Sequence, residues 1–88
     1  MSLSQEIIQK KGNGKTLDAI TKLNLCAMKL EDISELSKCK TLHVLVLTFN
    51  NISDIKPIAK CKNLQELYLR KNSLNSIDQV NHLKSLES

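Results

Sequence analysis

The chain of 88 residues carries 12 lysines and one arginine against nine acids, a net charge of +4. At this size a single domain buries about 60–65% of the surface its unfolded chain exposes. One Phe and one Tyr are its whole aromatic content, which argues against an aromatic-built active-site pocket and requires an aliphatic core. No run approaches the roughly 18 consecutive apolar residues of a membrane span, and the start Met1-Ser2-Leu3-Ser4 lacks the apolar run of a signal peptide. Three cysteines, an odd number, are too few for a disulfide scaffold. An intracellular, cytoplasmic protein with no membrane contact is the expectation.

The first stretch with a structural signature is 2–11, which reads as a short helix. Ser2 or Ser4 can cap it, Glu6 lies in its first turn, Lys10 and Lys11 in its last, and Gly12 follows. Leu3, Ile7 and Ile8 give it one narrow apolar stripe, suited to covering the open edge of the next unit, so 1–19 is expected to be an N-terminal helical cap. Gly12-Asn13-Gly14 then makes a turn. Gly-x-Gly followed by Lys15 is not a phosphate loop, because the G-x-x-x-x-G-K-[ST] spacing is absent.

From Ile20 onward the sequence repeats. Leu64, Leu67, Leu69, Asn72 and Leu74 fill the pattern L-x-x-L-x-L-x-x-N-x-L, and Leu42, Leu45, Leu47, Asn50 and Ile52 fill it one period earlier. One further period back it reads Ile20, Leu23, Leu25, Met28, Leu30, with only the Asn replaced. The period persists between the motifs in Ile33, Ile55 and Ile77, then Leu36, Ile58 and Val80, then Cys39, Cys61 and Leu83. Repeats are therefore expected at 20–41, 42–63 and 64–85, with Leu86 opening a fourth. An array ending on a fresh coil would leave a strand edge unpaired, so the chain is expected to be truncated at its C-terminus, or else to associate with a second copy through that edge.

The spacing dictates the architecture. In each motif two leucines alternate with other residues, so a short strand turns leucines to one face and mixed residues to the other. The Asn at the bend can satisfy backbone groups of adjacent coils with its amide. Apolar residues about three apart supply a helical or 3₁₀ return leg. One such unit cannot bury its own apolar edge, whereas stacked units can. The expected fold class is α/β: a curved solenoid with a parallel concave sheet and short helical or 3₁₀ turns on the convex side.

No catalytic, cofactor-binding or metal-binding set emerges. His43 and His82 have no Cys or His at zinc spacing, and Glu31, Asp32 and Asp54 form no paired arrangement. Cys39 and Cys61 fall at the same position of adjacent repeats and are expected to be buried thiols, with Cys26 accessible. The candidate protein-binding residues are those that alternate with the leucines: Val44, Val46, Phe49 and Tyr68 at the centre, with Lys22, Glu66, Arg70 and Lys71 at the rim. An apolar centre with a charged rim is how protein-binding patches are built; the competing expectation is that Phe49 folds into the spine between coils. Lys38, Lys40, Lys60 and Lys62 recur at matching positions and should form a ridge, whose alternative role is binding nucleic acid or acidic protein tails.

These motifs resemble the short, 22-residue subtype of leucine-rich repeats. Leu3-Ser4 with the following apolar pair, the strand Lys22 to Cys26, Leu30-Glu31-Asp32-Ile33-Ser34, Asn51-Ile52-Ser53, and Cys61 leading into Glu66 to Asn72 are similar to the N-terminal repeat domain of the cilia- and flagella-associated protein 410 family. That resemblance implies a non-catalytic scaffold of the cilium basal body or axoneme, part of the cytoskeleton, acting with a NIMA-related kinase or a ciliary scaffold partner. The chain lacks the further repeats, the terminal cap and the C-terminal helical segment of that family.

Overall fold

The computed structural model describes residues 2–73 and 86–87. Four short strands, β1 (Lys22–Asn24), β2 (Val44–Val46), β3 (Glu66–Tyr68) and β4 (Leu86–Glu87), form one parallel sheet in sequence order. Leu23 pairs opposite Leu45 and Leu45 opposite Leu67, so the period of the sequence is also the register of the sheet. In each of the first three strands the central leucine is buried and its neighbours face outward. β4 departs from the period: Leu86 stands opposite Leu67, where the repeat places it level with Leu64. His82 and the predicted third return leg, from Leu74 to Leu83, lie outside the described residues.

Each described return leg is a 3₁₀ helix, Ser34–Lys38 and Lys56–Lys60. Asp32 and Asp54, at the same position of successive repeats, start these legs by accepting the N–H of Ser34 and of Lys56, both at 2.9 Å. Such Asx turns let a short side chain replace a missing backbone partner. Hydrogen bonding from Ser34 holds the Asp32 carboxyl below the usual carboxylate range. Pro57 occupies the first turn of the second 3₁₀ helix, where its fixed φ and missing N–H cost nothing.

The sheet and the return legs enclose an aliphatic ladder. Leu25, Leu30, Leu36, Leu42, Leu45, Leu47, Ile52, Ile55 and Ile58 have no exposed surface, and neither do Cys39 and Cys61. Stacking like on like suits this core, because neighbouring coils present the same shapes at each rung and can interdigitate closely.

The N-terminal helix α1 spans Gln5–Lys11 and is shorter than the sequence suggests. Ser4 is its cap, its Oγ accepting the Ile7 N–H at 3.3 Å. Ser2 instead forms a parallel bridge with Asp32, and Leu3 N–H donates to Asp32 O at 2.9 Å. The backbone is thus drawn into extended pairing with the first repeat before the helix begins. Leu3 and Ile8 are buried in the core, with Ile7 and Leu17 packed against it. Gly12 ends α1 at φ −92, and the left-handed turn falls on Asn13 and Gly14.

Candidate functional site: the exposed sheet face

The bends that follow the strands position this face. Ala27, Phe49 and Lys71, one per repeat, have φ of 55°, 58° and 64°. Left-handed backbone costs a non-glycine residue roughly 1–2 kcal/mol. What holds Phe49 and Lys71 there is the residue that follows each of them, Asn50 and Asn72. Asn50 Nδ2 donates to Leu25 O and Leu47 O, both at 2.9 Å, while its Oδ1 accepts the N–H of Met28 and of Leu30, both at 3.0 Å. Asn72 does the same one coil on, donating to Leu47 O at 2.8 Å and Leu69 O at 3.0 Å and accepting Ile52 N–H at 3.0 Å. Each amide ties its own coil to the preceding one, as the sequence pattern anticipates. Backbone bonds complete the bends, from Ala27 N–H to Thr48 O and from Phe49 N–H to Arg70 O, both at 3.0 Å.

The predicted site residues divide into two groups. Lys22, Val44 and Glu66 lie level across the three strands, and Val46 lies beside Tyr68. The two valines, Glu66 and Tyr68 are half-buried and Lys22 is exposed. The Tyr68 hydroxyl donates to Glu66 Oε1 at 2.7 Å, so the phenol is fixed along its own strand. Phe49, Arg70 and Lys71 sit past the strand ends at the bends, beyond the rung that pairs Val46 with Tyr68. Phe49 does not fold into the spine. It is 58% exposed, the one large apolar side chain so placed among the described residues.

The remaining polar candidates also find their places. Cys26 is exposed and accepts a hydrogen bond from Thr48 Oγ1 at 3.2 Å. Burial pushes the Cys39 thiol up to about 11 and that of Cys61 to about 12, with the Glu35 carboxylate adding to the first shift and Cys39 itself to the second. Cys61 Sγ donates to Leu36 O at 3.3 Å. His43 is exposed, and no cluster of three or more metal-ligating side chains occurs among the described residues. A small hollow of about 180 Å³ beside Gly12, Asn13, Lys15 and Lys22 does not act as a phosphate cradle: Gly14 N–H already donates to Gln9 O and Lys15 N–H to Gly12 O. Alternation in the sequence identified the exposed face and Phe49 on it, but gave no sign that Phe49 would sit on left-handed backbone, because φ at a bend is set by neighbouring coils.

Three parallel strands in register with the sequence period, paired asparagines at the bends and a 3₁₀ return leg define an α/β fold of the leucine-rich repeat kind. Solved structures share the overall fold. Internalin C2 from Listeria monocytogenes superposes with a TM-score of 0.73 at 30% identity, over 80% of this chain and 32% of its own. A second Listeria monocytogenes internalin superposes with a TM-score of 0.52 at 21% identity, over 94% of this chain and 33% of its own. Both are leucine-rich repeat proteins, and this chain spans about a third of the length of each. No family model matches the chain, and no curated protein matches it by sequence. Neither internalin bears on the expected ciliary affiliation. No helix among the described residues is long and apolar enough to cross a membrane.

Proposed function

We propose that the chain is a non-catalytic protein-interaction module and that the exposed sheet face, with the bends beyond it, is its binding surface. The observation that carries this reading is Phe49: a large apolar ring, exposed, on backbone that a phenylalanine enters only at a cost. Stability alone favours glycine or asparagine at such a φ. Exposed aromatic anchors are the residues that dominate protein interfaces. Val44, Val46 and Tyr68 extend the apolar area, while Lys22, Arg70, Lys71 and Glu66 provide a polar rim. In the same reading the domain is a curved solenoid over 1–88 with this face concave, repeats at 20–41, 42–63 and 64–85, and residues 1–19 as its N-terminal cap. Leu3 and Ile8, buried beside the first repeat, support the cap.

A basal-body or axonemal setting, with a NIMA-related kinase or ciliary scaffold as partner, is the finer form of the proposal and rests on the resemblance of particular segments. Purified NIMA-related kinase titrated onto the immobilised chain tests it. Capture that Phe49→Ala and Val46→Asp weaken at least tenfold, with unchanged unfolding midpoints, supports both the face and the partner. Capture that neither variant alters removes this face, and no capture of the purified kinase removes that partner.

A further inference from the structure

The opposite side of the molecule carries a second surface. Where the two 3₁₀ helices end, Ser37, Lys38, Lys40 and Lys60 line an open groove of about 540 Å³. The two helices pack directly against each other, so Lys38 and Lys60, the last residues of the two helices, border the groove together with Lys40.

The charge here is segregated. Asp32 and Asp54 sit at the starts of the two return legs, each held by a backbone N–H, while Lys38, Lys40, Lys60 and Lys62 gather at the ends, and Lys56 alone of these legs' lysines stands at a start. Repetition copies the sign along with the position. Glu35 answers one of the four ammonium groups, its Oε2 lying 3.1 Å from Lys38 Nζ. Lys40, Lys60 and Lys62 have no ion-pair partner among the described residues. Preference for cations at a helix C-terminus accounts for Lys38 and Lys60, the last residues of their helices. It does not account for Lys40 and Lys62, which stand beyond the helix ends.

We infer that this groove binds an acidic peptide segment, an extended chain whose carboxylates meet Lys40 and Lys60. Ser37 favours a peptide over a nucleic acid. Its hydroxyl proton is committed to Ser34 O at 2.9 Å, so Oγ is left as an acceptor facing the groove. A peptide backbone supplies N–H donors to such an acceptor, and a phosphodiester backbone has none. The lining also lacks what nucleic acids use: no aromatic ring on which a base could stack and no arginine fork to grip a phosphate.

The test is a titration of the isotope-labelled chain with octaglutamate, read by amide chemical shifts, beside the same titration with an octameric oligothymidylate. Octaglutamate is expected to shift the amides of Ser37, Lys38, Lys40 and Lys60, with affinity falling as salt is raised from about 50 to about 200 mM, since the Debye length shortens about twofold across that range and exposed charge pairs weaken. The double variant Lys40→Glu/Lys60→Glu, both side chains being exposed, is expected to keep its unfolding midpoint within a few degrees and to bind at least tenfold more weakly. The inference is overturned if octaglutamate leaves these amides in place, or if the charge-reversed variant binds as before. It is overturned equally if oligothymidylate binds the groove as tightly as octaglutamate, which would make the surface a nucleic-acid site. Phe49→Ala, on the sheet side, leaves this titration unchanged.

Discussion

Replacing Asn50 by alanine tests the framework on which both surfaces depend. The Asn50 side chain is 5% exposed and bonds across two coils. Its loss strands the N–H of Met28, the N–H of Leu30 and the carbonyl of Leu25, whereas Leu47 O keeps its bond from Asn72. An unsatisfied buried backbone group costs about 1–3 kcal/mol, and Met28 is only half-buried, so the sum is about 3–5 kcal/mol. A chain this short has a total stability of about 4–13 kcal/mol, of which that is a large share. Urea unfolding followed by circular dichroism is the assay. With a slope of about 1–1.5 kcal/mol/M, the midpoint should fall by about 2–5 M at unchanged slope. Asn50→Ser, which keeps one hydroxyl, should fall between. Asn72, half-buried and with two described bonds to the preceding coil and one within its own, should cost less than Asn50 when truncated. A loss below about 1 kcal/mol for Asn50→Ala, or the reverse order of the two asparagines, would refute the reasoning, since water would then be replacing the amide at no cost.

Three further outcomes are expected. Phe49→Gly removes an exposed ring from left-handed backbone; relief of about 1–2 kcal/mol against glycine's entropic cost of about 0.5–1 kcal/mol leaves thermal stability unchanged or slightly raised, so a clear drop in Tm would show that Phe49 packs rather than binds. Gly12→Ala places a methyl 2.6 Å from Ile20 Cδ1 and 2.8 Å from its Cγ1. That crowding should destabilise by about 1–3 kcal/mol in urea unfolding, and Ile20→Val in the same chain should recover part of the loss. For the thiols, burial raises Cys39 and Cys61 to about 11 and about 12 from an ordinary 9.0. Stability from keeping them neutral is complete below pH 9 and is lost as pH rises from 9 through 11 to 12, because the unfolded chain releases those protons first. Cys39→Ala/Cys61→Ala should flatten that decline in urea midpoints, and at pH 8 a mild thiol reagent should modify Cys26 in the native chain well before the other two.

Most of the fold was legible because repetition states the tertiary contacts three times over. A leucine that recurs once per repeat has to face its own counterpart, so Leu23, Leu45 and Leu67 announce both a strand and its register, and Asn50 and Asn72 announce the ladder between coils. The burial of Cys39 and Cys61 follows from the same alignment. Where sequence reading went astray, the cause was a partner not visible locally. Ser2 and Leu3 look like helix residues by capping and periodicity, yet pairing with Asp32 draws them into extended backbone.

Local sequence by itself thus determined composition, period and polarity: an aliphatic ladder inside, an alternating face outside, and lysines repeated along one edge. Only the tertiary structure decided where α1 begins, that Phe49 stands exposed with a positive φ, and that the lysines of two coils border a common groove. The physical reason is range. Hydrophobic spacing acts within a repeat and can be read off a window one repeat long. The conformation of a bend, and the company kept by a surface charge, depend instead on what the neighbouring coil presents, which is settled only when the coils stack.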